Sequence, residues 1–232
     1  MPIRAIALDL DGTLLDTIAD LAAAANAMRG DFDLPPLQQA RLESFVGGGM
    51  QQLVHRALTD DRDGRAHPEL HAAGIEAFCR HYDRLLVVAS RPYPGVIEGL
   101  EAFGRMGLKL AVITNKPVRF TVPLLERTGL AGHFELVLGG DSLAEKKPHP
   151  QPLLHACERF GIAPAELLMI GDSHFDRDAA DAAGSPCLLL RYGYEDIAEL
   201  ACAGHLDSLV EAVEFVKNAG SIQVIQLHSP ST

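Results

Sequence analysis

The chain has 232 residues, 47% of them hydrophobic, and a formal net charge of -11 at pH 7 from 20 Lys and Arg against 31 Asp and Glu. This length allows one sizeable α/β domain, or a core with a smaller inserted domain, and the hydrophobic content excludes a disordered chain. The acidic excess argues against nucleic acid or an anionic membrane surface as a partner. The net charge does not exclude a small anionic substrate, because a site can be locally positive on an acidic protein.

The four cysteines are scattered and form no C-x-x-C pair: Cys79, Cys157, Cys187 and Cys202. This spacing predicts reduced thiols in a reducing compartment and argues against a zinc site. The N-terminus leads directly into a predicted strand, without a charged region and cleavage site. We therefore expect a cytoplasmic protein that does not enter a membrane.

The first predicted strand is the compact apolar run at residues 3–8, which ends at a glycine turn and is typical of a buried parallel strand. Helices follow it: one capped by Asp16 or Thr17 and broken at residues 34–36, then others over residues 37–46, 50–58 and 68–86. No convincing strand is found between them. The sequence thus predicts a helical cap domain, residues 16–88, inserted into an α/β core of residues 1–15 and 89–232.

Strands and helices alternate after a turn-rich junction at residues 91–95. Helices are predicted at residues 96–106, 118–128, 150–160 and 175–183, and strands at 108–113, 136–138, 167–170 and 187–190. Short connections between alternating elements indicate a Rossmann-like parallel sheet with right-handed crossovers. Residues 222–227 are a possible edge strand, and residues 228–232 are expected to fray.

Two carboxylates, Asp9 and Asp11, stand two residues apart where the first predicted strand ends. Residues i and i+2 of a strand point the same way, so both acids would reach into one space. Their mutual repulsion would be relieved by a hard divalent metal, a phosphoryl substrate or both. The simpler alternative is an Asx turn and an early helix cap.

Three further polar groups follow later predicted strands: residues 114–116 (Thr-Asn-Lys), 146–148 (Lys-Lys-Pro) and 171–176 (Gly-Asp-Ser-His-Phe-Asp). Each alone has an ordinary explanation as a helix cap, a solvated lysine or an exposed helix face. Ligands of open α/β sheets bind beyond the carboxyl ends of the strands, so all four groups would meet at one edge. Their combination predicts a functional site there.

The motifs D-x-D-G-T, T-N-K, K-P-x-P and G-D-S-x-x-D, in this order, resemble the haloacid dehalogenase superfamily, in the phosphatase branch with a helical cap after the first strand. The resemblance extends to about residue 194. Within that branch the chain is most similar to the bacterial phosphoglycolate phosphatase family, in residues 11–16, 45–49, 114–117, 146–150 and 192–194. His174 and Phe175 depart from the polar pair usual in that family.

The resemblance implies that Asp9 is the nucleophile, which forms an aspartyl-phosphate, and that Asp11 is the general acid and base. It implies Mg2+ held by Asp9, by the backbone carbonyl of Asp11 and by Asp172. The groups implied to bind the phosphate belong to Gly12, Thr114, Asn115 and the catalytic Lys147, with Asp176 behind the metal ligands.

The implied cap loop, Gly47, Gly48 and Gly49, would close over the site and contact the leaving group. A carboxylate on that leaving group needs hydrogen-bond donors, and the candidates are Arg41, His55, Arg56 and Arg119. A solvated surface position is the favoured explanation for each of the four taken alone, so the carboxylate site stays unassigned.

By this resemblance the chain is a Mg2+-dependent phosphomonoester hydrolase of a small phosphorylated metabolite, with 2-phosphoglycolate the favoured substrate. Alternatives are a phosphatase for a sugar phosphate or pyrophosphate, a sugar phosphomutase, and a non-catalytic binding protein on the same fold. A dehalogenase is disfavoured, because that reaction needs neither Asp11 as an acid nor a metal. Either a monomer or a homodimer is compatible with the sequence.

Overall fold

A parallel sheet forms the centre of the computed structural model, which describes residues 2–225. The strands are β1 (Ala5–Leu8), β2 (Leu15–Asp16), β3 (Arg91–Pro92), β4 (Lys109–Ile113), β5 (Leu136–Leu138), β6 (Leu167–Gly171), β7 (Cys187–Leu190) and β8 (Gly204–Leu206). Within the described residues, six of them form the main sheet in the order β5-β4-β1-β6-β7-β8, all parallel. The predicted parallel α/β core is confirmed.

The strand order places β1 at the point where the chain reverses its direction across the sheet. From β1 the chain builds β4 and β5 on one side, then crosses back to build β6, β7 and β8 on the other. The loops that leave β1 and its neighbours therefore separate, and they open a crevice beyond the carboxyl end of β1. This crevice is where a ligand of such a sheet binds.

The strand β1 is buried on both faces, which explains its unbroken apolar sequence. Ile6 and Leu8 belong to the hydrophobic cluster on one face of the sheet, and Ala5 and Ala7 to the cluster on the other. This alternation follows from the two-residue period of a strand. It leaves Asp9, directly after β1, at the edge of the crevice.

Helices cover both faces of the sheet and form the inserted segment. They are α1 (Ile18–Asp31), α2 (Gln39–Glu43), α3 (Met50–Thr59), α4 (Pro68–Leu85), α5 (Val96–Arg105), α6 (Val118–Arg127), α7 (Gln151–Phe160), α8 (His174–Ala183) and α9 (Leu209–Ile225). The first four lie between β2 and β3, which pair antiparallel and carry the chain into and out of this helical segment. The division into two domains at residues 16 and 88 stays a prediction.

The helical segment contains no strand within residues 17–88, and the short strands β2 and β3 lie at its two ends. Two local predictions were wrong. The helix expected over residues 37–46 is only the short α2. Residues 222–225 continue α9 and do not form an edge strand; the rest of that predicted strand and residues 228–232 lie outside the described residues. A helix that has already begun at Leu209 adds residues cooperatively, and this outweighs the local strand preference of Ile222 and Val224.

All four cysteines carry free thiols, as predicted. None of the helices within the described part of the chain is long and apolar enough to cross a membrane.

Candidate active site

The carboxylate of Asp9 lies at the end of β1 and is almost fully buried. The Asp9 amide donates to the carbonyl of Ile170 (3.0 Å), which fixes its backbone to β6. Lys147 Nζ lies 3.0 Å from Asp9 Oδ1 as an ion pair, but without the angles of a hydrogen bond. Oδ1 therefore accepts no hydrogen bond from the described residues. Burial, only partly offset by Lys147, raises the pKa of Asp9 from 3.8 to about 6.

Three carboxylates meet at this point: the ligand atoms of Asp9, Asp172 and Asp176 lie within 4.8 Å of one another. Asp172, at the end of β6, accepts hydrogen bonds from Thr13 Oγ1 (2.8 Å) and from the Tyr194 amide (2.9 Å). Burial, together with the charges of Asp176 and Asp9, raises the pKa of Asp172 well above its usual value. The protein thus disfavours the ionised cluster unless a cation is present.

Asp176 is already saturated with protein partners. Its Oδ1 accepts from Lys147 Nζ (2.6 Å), and its Oδ2 accepts from the amide and hydroxyl of Ser173 (3.1 and 2.6 Å). Since Asp176 is the third residue of α8, the same carboxylate also caps that helix. Asp176 is therefore placed to hold Lys147, while ligand oxygens of Asp9 and Asp172 lie within 4.8 Å of each other.

This donor set fits a hard divalent cation. Asp9, Asp172 and Asp176 bring three carboxylates together against the single ammonium group of Lys147, and Asp9 Oδ1 is buried without a hydrogen bond. Buried charges of this kind are stable only when they are paired or coordinate a metal. Carboxylate oxygens are the ligands that Mg2+ and Ca2+ prefer.

Gly12 is required here for a reason that sequence analysis did not identify. Its φ is +82°, which L side chains rarely adopt, and a Cβ atom built on it would lie 2.3 Å from Asp172 Oδ2. Gly12 therefore lets the loop after β1 pass directly against the carboxylate of Asp172.

The carboxylate of Asp11 is not part of the three-carboxylate cluster, although Asp11 lines the same cavities as Asp9. Lys116 Nζ bonds both of its oxygens at 3.0 Å, and Thr17 Oγ1 donates to Oδ1 (2.6 Å). Burial opposes the charged form of Lys116, but Asp11 and Tyr82 together outweigh that effect and raise the pKa of Lys116. The ammonium group of Lys116 also lies over the ring of Tyr82, 4.8 Å from its centroid. Asp11 is thus held in place by one cation and one hydroxyl.

Thr114 and Asn115 follow β4 and are both buried. Thr114 Oγ1 accepts a hydrogen bond from the amide of Lys116 (3.3 Å). Asn115 Nδ2 donates to the carbonyls of Gly47 (3.0 Å) and Lys147 (2.9 Å), so one amide group joins three segments of the chain.

The glycine loop of the helical segment lies directly on the end of the sheet. The carbonyl of Gly48 accepts a hydrogen bond from Lys146 Nζ (2.7 Å), in addition to the bond from Asn115 to Gly47. Gly49 has φ +87°, and a Cβ there would lie 2.8 Å from the carbonyl oxygen of Asn115. No larger residue fits this approach without a shift of the backbone.

Two cavities open beside Asp9, and both are lined by Asp9, Asp11, Val46 and Gly47. One, of about 40 Å³, adds Thr114, Asn115, Lys116, Gly49 and an apolar wall from the helical segment. The other, of about 100 Å³, adds Asp172 and Arg56 among others. The structure therefore brings the predicted residues together. Lys147 and Asp176 lie behind Asp9, Gly12 lies against Asp172, and Gly48 lines a neighbouring cleft.

Comparison with known proteins agrees with this architecture. A family model described as haloacid dehalogenase-like hydrolase matches residues 6–190 of the chain. The chain belongs to this family. The resemblance seen in the motifs is thereby confirmed.

Individual members of the haloacid dehalogenase-like hydrolases are similar over nearly the whole chain. The phosphoglycolate phosphatase of Thiobacillus denitrificans is 48% identical over 222 residues, 94% of this chain and 98% of that protein. The phosphoglycolate phosphatase of Chromobacterium violaceum is 47% identical over 216 residues, 93% and 97% of the two chains. The crystal structure of a predicted phosphoglycolate phosphatase from Haemophilus somnus has a TM-score of 0.87 at 34% identity, over 92% of this chain and 97% of that one.

Two residues of this haloacid dehalogenase-like hydrolase were given no role by the sequence analysis. Lys116 binds Asp11, and its place directly after Thr114 and Asn115 was the signal that could have identified it. The hydroxyl of Tyr194 accepts hydrogen bonds from the amides of Thr17 (2.7 Å) and Ile18 (3.1 Å), where α1 begins. That contact spans 177 residues of sequence, and no local pattern predicts it.

The four candidate donors for a substrate carboxylate differ in their exposure and in the cavities that they line. Arg41 pairs with Asp60 (2.8 Å) and Arg119 with Asp83 (2.7 Å), both on the exposed surface and outside the two cavities. His55 lines a neighbouring cleft, where it stacks on another histidine. Only Arg56, of the four, lines a cavity that contains Asp9.

Proposed function

We propose that this chain is a Mg2+-dependent phosphatase that hydrolyses 2-phosphoglycolate to glycolate and phosphate. The observation that carries the proposal is the buried Asp9 carboxylate at the end of β1, with an oxygen free of hydrogen bonds and Lys147 at 3.0 Å. The substrate is inferred from the names of the similar proteins of Thiobacillus denitrificans and Chromobacterium violaceum.

In the proposed first step, Asp9 attacks phosphorus, so that a carboxylate O–P bond forms and the P–O bond to the glycolate oxygen breaks. Asp11 donates a proton to the departing alkoxide. In the second step Asp11, now without that proton, takes one from water; the water oxygen bonds to phosphorus, the P–O bond to Asp9 breaks, and phosphate leaves. Lys116 and Thr17 support this role, because they fix the direction of the Asp11 carboxylate.

The phosphate would be bound by Thr114, the backbone amides near Gly12 and Asn115, and the charge of Lys147. Asp176 holds Lys147 in position through the 2.6 Å contact. Asp9, the backbone carbonyl of Asp11 and Asp172 would hold Mg2+. When bound, Mg2+ supplies positive charge that offsets the repulsion between the phosphate and Asp9.

The proposed cap, residues 16–88, excludes water and selects the leaving group. Its loop of Gly47, Gly48 and Gly49 supports this assignment, because Gly47 lines both cavities beside Asp9. We propose a cytoplasmic location, which the four free thiols support.

The cluster predicts that stabilisation by Mg2+ depends on pH. Folding raises the pKa of Asp9 from 3.8 to about 6 and that of Asp172 in the same direction, so the metal-free folded state binds more protons than the unfolded state in that range. Its stability therefore falls as the pH rises from about 4 to 6. Mg2+ binds the ionised form, so its addition should raise the melting temperature more at pH 7.5 than at pH 5. Thermal melts with Mg2+ and with chelator measure this difference. An equal rise in melting temperature at both pH values would contradict the prediction, and so would an unchanged rise in the Asp172→Asn variant.

A substrate panel tests the proposed function. Phosphate release is measured from 2-phosphoglycolate, a hexose phosphate, pyrophosphate and an aryl phosphate, with Mg2+ and with chelator. We expect the highest kcat/KM for 2-phosphoglycolate and loss of activity on chelation. A higher value for a hexose phosphate or pyrophosphate would overturn the substrate but keep the chemistry. Release from none of them would overturn the hydrolase and favour a mutase or a binding protein.

A further inference from the structure

Arg56, on α3, is a buried arginine that forms no ion pair with any residue that the structure describes; the charge of Asp63, beyond ion-pair distance, only partly offsets the effects of burial and of Arg62, which lower its pKa. It is only 7% exposed, and among the described residues no carboxylate lies within the 4.0 Å of an ion pair. Nε donates to the carbonyl of Arg62 (2.7 Å) and Nη1 to the carbonyl of Phe45 (2.9 Å). These two bonds fix the plane of the guanidinium group and use only part of its five N–H donors.

The guanidinium group of Arg56 belongs to a residue that lies beside the proposed active site. Arg56 lines the cavity of about 100 Å³ that Asp9, Asp11 and Asp172 also line. Arg62 is the other arginine of that cavity, but its side chain is exposed. An exposed, flexible arginine loses conformational entropy when it binds a ligand, whereas Arg56 is already fixed by its two carbonyl bonds.

A buried guanidinium stays charged, and a buried charge whose nearest counter-ion, here Asp63, lies beyond ion-pair distance is only partly compensated. A carboxylate delivered by the substrate would supply the counter-ion, in the planar geometry that a guanidinium matches best. The geometry points to Arg56 as the residue that binds the carboxylate of the substrate, and so selects a phosphomonoester with an acidic leaving group over a neutral one. This inference rests on the proposed phosphatase function.

The competing explanation is that Arg56 only supports the backbone around Phe45 and Arg62. The chain offers a matched control for that role in Arg29, on α1. Arg29 is 3% exposed, and it likewise donates through Nε and Nη1 to two backbone carbonyls, those of Pro35 and Ala57. It too has no carboxylate partner among the described residues, but it lines neither cavity beside Asp9.

The test compares two substrates in each variant: 2-phosphoglycolate and ethyl phosphate, in which a methyl group replaces the carboxylate. For Arg56→Met we expect kcat/KM for 2-phosphoglycolate to fall by about 30- to 100-fold, mainly through KM, because a hydrogen bond between charged groups is lost. For ethyl phosphate we expect a change of less than about 3-fold. Arg56→Lys should restore part of the preference, since it keeps the charge but not the planar fork.

Arg29→Met should lower the melting temperature while leaving the ratio between the two substrates unchanged. If Arg56→Met lowers kcat/KM equally for both substrates, as a structural role requires, the inference is wrong. If Arg56→Met fails to fold, Arg56→Lys decides: an unchanged substrate ratio in that folded variant overturns the inference. The proposed function fails separately, if the unmodified enzyme already hydrolyses ethyl phosphate as well as 2-phosphoglycolate. In that case there is no carboxylate preference for Arg56 to explain.

Discussion

Replacing Asp9 with Asn is expected to reduce phosphate release by about 10³-fold or more, because an amide cannot form the acyl-phosphate. The fold should survive, since Asn has the same shape. Burial already raises the pKa of Asp9, so a neutral group suits this position at least as well as the ion. Steady-state phosphate release and thermal melting measure the two effects.

The control for this substitution is Asp83→Asn, which removes an exposed carboxylate paired with Arg119. That variant should keep full activity, because surface ion pairs contribute little. If Asp9→Asn kept full activity as well, the assignment of Asp9 as nucleophile would be wrong.

Replacing Lys147 with Met is expected to lower both activity and stability. The side chain of Lys147 is buried between Asp9 and Asp176 at 3.0 and 2.6 Å, and it is the only ammonium group paired with this cluster in the described chain. Removing one partner of a buried ion pair costs about 3 to 5 kcal/mol, because the remaining charge stays buried without compensation. We also expect kcat to fall by about 100-fold or more, through loss of positive charge at the phosphate.

A double variant separates the charge effect from the loss of packing. Adding Asp176→Asn to Lys147→Met removes one of the two carboxylates that lose their counter-ion, while keeping the contacts with Ser173. We expect the double variant to regain part of the free energy of unfolding, measured by urea denaturation without Mg2+. A double variant that loses the sum of the two single effects would show that Lys147 and Asp176 do not depend on each other.

The sequence was sufficient for the features that depend on local pattern. Asp9, Thr114 and Asp172 were located because each follows an apolar strand, and parallel strands bring their carboxyl ends to one edge. The alternation of predicted strands and helices along the chain likewise indicated the parallel α/β core. The three-residue β8 was missed, because it contains a glycine and is too short to show a period.

Contacts between distant segments could not be predicted in the same way. Arg41 is exposed and ion-paired whereas Arg56 is buried beside the site, and the local sequence distinguishes the two arginines only weakly. A weak signal did exist, since Arg56 stands three residues after Leu53 and next to Ala57, both buried on α3. Lys147 is similar: the sequence suggested a functional lysine but could not show that it is buried between two acids.

The glycine loop of the helical segment is held to the end of the sheet by the hydrogen bonds from Asn115 and Lys146 to the carbonyls of Gly47 and Gly48. The strength of these bonds affects how easily the loop separates from the sheet. A bond between neutral groups, such as that of Asn115, contributes about 1 kcal/mol in water, and one from a charged group, such as Lys146, about 1.5 to 3 kcal/mol. Both acceptors are main-chain oxygens, so water can replace the donors as soon as the loop lifts. We therefore expect rapid, reversible parting on the microsecond-to-millisecond scale, fast enough for a small metabolite to enter and its products to escape without any helix unfolding.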